Sequence, residues 1–179
     1  FSLTGLARAF RAIATGAAGP AGQQVYEAMT GHPDMVGGDH RDVTQFMRHV
    51  PGLVAKLEHG NRHARWEAAK ALTTVRDERA MHPLVGALTD EIPGVRWLAA
   101  EALATLGRGA LEPLLQGMLE HSHSPWFREG AHHVLTTVGK GDLRELVRPV
   151  LRALEAVEPE IGVLVPSHEL LKALRAAAG

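Results

Sequence analysis

A chain of 179 residues can bury one substantial core, and its composition, 45 % apolar but only 4 % aromatic, suits helices that approach one another closely. A formal charge of −1 supplies no global field to attract nucleic acid or an anionic membrane. Cysteine is absent, which excludes disulfides and thiolate metal sites, and no apolar run reaches the roughly 18–20 residues that span a bilayer. No signal-peptide pattern opens the chain, so a cytoplasmic protein is expected.

Residues 1–49 follow no repeat. Leu3, Leu6, Phe10 and Ile13 are spaced for a helix that ends at the Gly16–Pro20 segment. Gln23 to Met29 suggests a second short helix. A loop rich in Gly, Asp and His follows from Thr30 to Arg41. Asp42 then reads as the N-cap of Val43 to His49. These residues are expected to form an irregular helical cap, because a terminal repeat has no outer neighbour to cover it. The alternative is a separate functional element.

From residue 50 the chain repeats itself. The stretch Val95 to Gly107 sets Val95, Ala99, Ala102, Leu103 and Leu106 on one helical face and stops at a glycine. Arg65-Trp66-Glu67-Ala68-Ala69 matches Arg96-Trp97-Leu98-Ala99-Ala100 at an offset of 31, and Arg128-Glu129-Gly130-Ala131 follows at 32. Pro51, Pro83 and Pro113 each open an apolar stripe ahead of these segments. A fixed period of this length predicts stacked helix pairs over 50–179, with repeats at about 50–76, 81–107, 111–139 and 143–177. The last is degenerate: Pro149 interrupts its first helix, and Ser167 reads as the cap of His168 to Ala177.

A proline-started helix, a polar loop, a Val-Arg-x-x-Ala-Ala-x-Ala-Leu helix and a Leu-Gly stop together resemble the short HEAT-like repeat of bacterial proteins, including phycobilin lyases. The resemblance implies an all-α fold, an α-solenoid wound as a right-handed superhelix, with second helices lining the concave side. It also implies that Arg65, Arg96 and Arg128, at the start of each second helix, form a structural ladder with acidic residues at the turns. Asp77, Asp90 and Glu120 are the available partners.

On a helical wheel Trp97 falls about 200° from Val95, away from the apolar face, and Trp66 takes the same position in repeat one. Both indoles are expected to project into the groove, where aromatic anchors dominate binding. The alternative has them lean over and cover a neighbouring helix, or stack against the cap residues 1–49. Lys70, Glu101, Glu129 and His133 follow along the same side as polar contacts. Trp126 and Phe127 are expected in the core.

Other chemistry finds little support. The histidines carry no metal-ligand spacing. Deoxyhypusine hydroxylases of this fold need several His-Glu pairs, and only His168-Glu169 is present. Alkylpurine DNA glycosylases of this fold use a basic groove, whereas the expected groove here is mixed in charge. The reading is a non-catalytic scaffold that binds a protein or peptide, without cofactor or metal. A lyase-like or small-molecule-binding module is the alternative, and a metal-dependent enzyme comes third. Neither nucleic acid nor membrane is an expected partner.

Overall fold

A computed structural model describes residues 50–178, and all regular structure among them is helical. Helices α1 (Val50–His59) and α2 (Arg62–Val75) form one pair. The next two pairs are α3 (Met81–Ala87) with α4 (Pro93–Leu106) and α5 (Leu111–His121) with α6 (Pro125–Val138). Then come α7 (Leu143–Leu154), the single-turn α8 (Pro159–Gly162) and α9 (Leu164–Ala178). The expected cap at 1–49 lies outside the described residues.

Local signals explain the helix ends. The Asn61 side chain accepts a hydrogen bond from Ala64 N at 2.9 Å and starts α2. Pro93 and Pro125 sit at the first turns of α4 and α6, where a missing N–H costs nothing. Gly107 ends α4 at φ 64°, in the left-handed half of backbone space that glycine tolerates.

The pairs stack in sequence order through three repeats. First helices α1, α3 and α5 form one row, and second helices α2, α4 and α6 form the other. The fold is an all-α solenoid, as the period implied. Val95, Ala99, Ala102 and Leu103 are fully buried, as the face of α4 predicts. Leu98 and Ala100 are buried as well. The apolar face is broader than one stripe because α4 has α2 on one side, α6 on the other and α3 beneath. Alanine at 99, 100 and 102 permits that approach.

The last pair departs from the pattern. Helix α7 packs on α6, and α9 packs on α5, so the two rows exchange occupants. The connectors explain it. Short 3₁₀ turns, Glu78–Ala80 and Gly107–Ala110, carry the chain from each second helix to the next first-row position. Between α6 and α7 stands a tight turn through Gly139 and Gly141 instead. A Cβ on Gly139 would meet Val147 Cγ2 at 2.3 Å, so only glycine lets α7 settle directly beside α6. Helix α9 then fills the first-row position, and its Arg175 reaches Glu112 of α5 at 2.8 Å. Two local expectations change here. Pro149 lies exposed within an unbroken α7, and Ser167 is a fully buried residue inside α9 rather than its cap.

Candidate functional site

The arginine positions come first, because they fix the loops around the site. Arg65 donates from Nε to Asp90 Oδ2 at 2.7 Å and from a terminal nitrogen to Asp90 Oδ1 at 3.2 Å. It also donates to Glu91 at 3.0 Å and to the Gly60 carbonyl at 3.1 Å. The bond to Asp90 is the largest influence raising its pKa. Arg96 and Arg128 differ from the expected ladder. Arg96 donates to the Asp90 carbonyl at 2.6 Å, and Arg128 to the Ser122 carbonyl at 2.5 Å. What the three positions share is a guanidinium turned back onto carbonyls at the end of the preceding first helix. Asp77 pairs with Arg79 instead, and Glu120 lies 3.9 Å from His121.

The tryptophans do not stand out into solvent as a pair. Trp66 is 6 % exposed and belongs to the core, with Lys70 Nζ 5.0 Å from its ring centroid. Burial lowers the Lys70 pKa, against an opposing pull from Glu67. Trp97 is half-buried, and its ring lies 4.5 Å from that of His133 on α6. The wheel misplaced both rings because it treats a helix as having one buried face. A helix in a row is also covered along its flanks, α4 by α2 and α6, and α2 by α4.

A different indole takes the exposed role. Trp126, expected in the core, is 47 % exposed at the first turn of α6, while Phe127 beside it is fully buried. Arg96 stacks over the Trp126 ring at 4.4 Å. Trp97 and Trp126 line a small slot between α4 and α6, with Arg96, Glu129 and His133 around it. Ala100 and Gly130, lacking bulk, leave it open. A Cβ on Gly130 would meet Leu88 Cδ2 at 2.8 Å, so packing beneath also requires the glycine. The slot holds about 60 Å³. His133 Nε2 lies 2.8 Å from Glu101 Oε1, and this bond holds the imidazole against Trp97. Burial lowers the Arg96 pKa, opposed by the charges of Glu129 and Asp90.

Of the expected groove residues, the structure thus brings together Trp97, Glu101, Glu129 and His133. Trp66 and Lys70 lie one helix away on α2. Trp126 and Arg96 were missed as site residues. The available signal was Ser124-Pro125, which fixes the start of α6 and so the registers of Trp126 and of the buried Phe127 after it. A second, larger cleft of about 400 Å³ lies where α1 and α3 approach, lined by Glu58, Arg65, His82, Thr89 and Asp90 among others. Among the described residues no three His, Asp or Glu side chains converge as a metal site. His168 and Glu169 are both exposed.

Comparison with known proteins agrees with this architecture. The HEAT repeats family matches residues 50–136, the three pairs that stack in order. Over these residues the chain is a HEAT-repeat protein. The match stops before α7, where the two rows of the HEAT array exchange occupants. A second family, L-asparaginase II, matches residues 1–60, of which only the last part, α1, is described. No curated protein and no solved structure matches the chain. HEAT arrays commonly serve as protein-interaction scaffolds, and no described helix is long and apolar enough to cross a membrane.

Proposed function

We propose that this HEAT array is a non-catalytic binding module that captures a protein or peptide along its second-helix row, with the α4–α6 slot as its anchor point. The observation that carries the reading is the slot itself. At about 60 Å³ it has room for roughly two water molecules, at ~30 Å³ each, or for one short apolar side chain. The partner is therefore a peptide segment that inserts such a side chain between Trp97 and Trp126 and lays its backbone against Glu129 and His133. Small pocketed anchors of this kind concentrate binding energy in a few residues. The array is rigid beforehand, so little entropy is lost on its side. Trp66 and Lys70 contribute to the module as packing rather than as contacts.

The test is capture from cell extract with the full chain and with Trp126→Ala and Glu129→Arg. The first removes one wall and the second reverses the charge of an exposed side chain at the slot. Both should lose the same bound protein while helicity is unchanged. Retention of that protein by both variants would place binding elsewhere.

A slot of this size does not hold an open-chain tetrapyrrole, which argues against the lyase-like alternative there. The larger cleft between α1 and α3 falls within the ~300–1,000 Å³ range of small-molecule sites and keeps a small polar ligand as a second reading. Gly86 opens onto that cleft with no atom within 4 Å of a Cβ position. A ligand lost on Gly86→Phe but kept in Trp126→Ala would favour it. The L-asparaginase II similarity of residues 1–60 is tested separately by ammonia release from asparagine with the full chain.

A further inference from the structure

Arg65 and Arg96 hold the same position in successive repeats and use the same nitrogen in the same way. Arg65 Nη1 donates to the Gly60 carbonyl at 3.1 Å, and Arg96 Nη1 donates to the Asp90 and Glu91 carbonyls at 2.6 and 3.3 Å. Arg65 turns its other edge, Nε with Nη2, onto both oxygens of Asp90 in the next repeat. The N–H bonds of that edge are parallel and match the two oxygens of a carboxylate. Arg96 has the same edge without the partner. Ser122 stands six residues before Arg128 as Asp90 stands six before Arg96, so the third turn offers a hydroxyl where the second offers a carboxylate. Among the described residues Arg96 Nε and Nη2 donate no hydrogen bond, and the guanidinium forms no ion pair.

This edge belongs to a side chain of the α4–α6 slot. Arg96 lines the slot, half-buried, and lies over the Trp126 ring at 4.4 Å. The indole face and two carbonyls hold the guanidinium, so its donors are oriented in advance. Burial lowers the Arg96 pKa more than the charges of Glu129 and Asp90 raise it, which leaves the cation under-compensated. Arg128 also donates only to a carbonyl, but it does not line the slot.

We propose that the free edge of Arg96 receives the terminal carboxylate of a peptide, so that the slot reads the last residue of its partner. The proposal rests on the slot being the anchor point of the array. A chain end brings both required groups to one α-carbon: a short apolar side chain to enter between Trp97 and Trp126, and a carboxylate for Arg96. An internal aspartate or glutamate carries its carboxylate on the side chain, so one group would have to fill the slot and pair with the arginine together. The Arg65–Asp90 pair gives the expected form, two N–H···O bonds at 2.7 and 3.2 Å. Glu129, exposed beside the slot, is left to accept the N–H of the same terminal residue.

The experiment is titration of the full chain with N-acetylvaline, read by NMR on the indole N–H signals of the three tryptophans. Trp97 and Trp126 should move, and Trp66, in the core, should not. A dissociation constant of about millimolar order is expected for so few atoms. N-acetylvalinamide, which lacks the charge, should bind at least about tenfold more weakly. N-acetylaspartic acid α-amide, with its carboxylate on the side chain, should bind no better than the valinamide. Arg96→Gln should abolish the preference for acid over amide while circular dichroism stays unchanged. Equal binding of acid and amide by the wild type would overturn the proposal and leave the slot as an apolar anchor. So would an aspartate side chain that binds as well as N-acetylvaline, or an acid preference that survives in Arg96→Gln. Silence of both indoles towards every probe would overturn it as well, and capture with Trp126→Ala would then decide the slot separately.

Discussion

Arg65 and Asp90 join the first two repeats. Both oxygens of the Asp90 carboxylate hold the Arg65 guanidinium, and Oδ1 also accepts from Ile92 N at 2.8 Å at the start of α4. One side chain therefore ties α2 to the next repeat and fixes the turn that leads into that repeat's second helix. Its own carbonyl takes Arg96 at 2.6 Å. Asp90 is only 9 % exposed and Arg65 17 %, so water does not replace what a substitution removes.

Asp90→Ala should accordingly cost about 2–3 kcal/mol, since it removes two of the four bonds to a largely buried guanidinium and the bond that fixes the turn ahead of α4. For a chain of this size that lowers the melting temperature by about 5–10 °C. Glu91→Ala removes only the exposed contact and should change it by less than about 0.5 kcal/mol. Thermal unfolding of the two variants measures the contrast. Equal losses would show that Asp90 is not the joint.

The tryptophans should separate in the same measurement. Trp66→Ala empties a core position and should cost about 3–5 kcal/mol. Trp126→Ala removes a half-exposed ring and its contact with Arg96, at most about 1 kcal/mol. Similar melting temperatures for both would mean that Trp66 is not core.

Two glycines in helices of the same row make a paired test. A Cβ on Gly117 would meet Val85 Cγ1 at 2.5 Å and Phe127 Cζ at 2.8 Å. Gly86 has nothing within 4 Å. Alanine favours a helix over glycine by about 1 kcal/mol at either site. Gly86→Ala should therefore stabilise by about 0.5–1 kcal/mol. Gly117→Ala should destabilise, because Phe127 and Val85 are locked in the core. Denaturant midpoints give both signs.

Acid stability carries a signature of Asp77. Hydrogen bonds from the Arg79 side chain and then the Arg79 backbone N–H hold its carboxyl down to about 2, from 3.8. Between these values the unfolded chain binds more protons than the folded one, so this contribution is present above about pH 4 and is lost as pH falls towards 2. Asp77→Asn should flatten that part of the stability-against-pH curve, lowering stability above about pH 4 and approaching the wild type as pH falls towards 2. The change should be modest, because Arg79 is largely exposed. A wild-type and variant difference that stays the same from neutral pH down to about 2 would contradict the assignment.

The solenoid was legible in the residues alone. A repeat near thirty-one residues, alanines at the close approaches and glycine or proline at the ends depend only on local spacing and on backbone preferences, which act within a few residues of themselves. Trp66, Trp126 and the last pair were not legible in this way. A helical wheel knows one buried face, whereas Trp66 lies in the core on α2, which packs on both α1 and α4, and Trp126 is exposed one residue ahead of the buried Phe127. The exchange of α7 and α9 follows from how tightly Gly139 lets two helices meet, a property of atoms eight residues apart that only packing in three dimensions reveals.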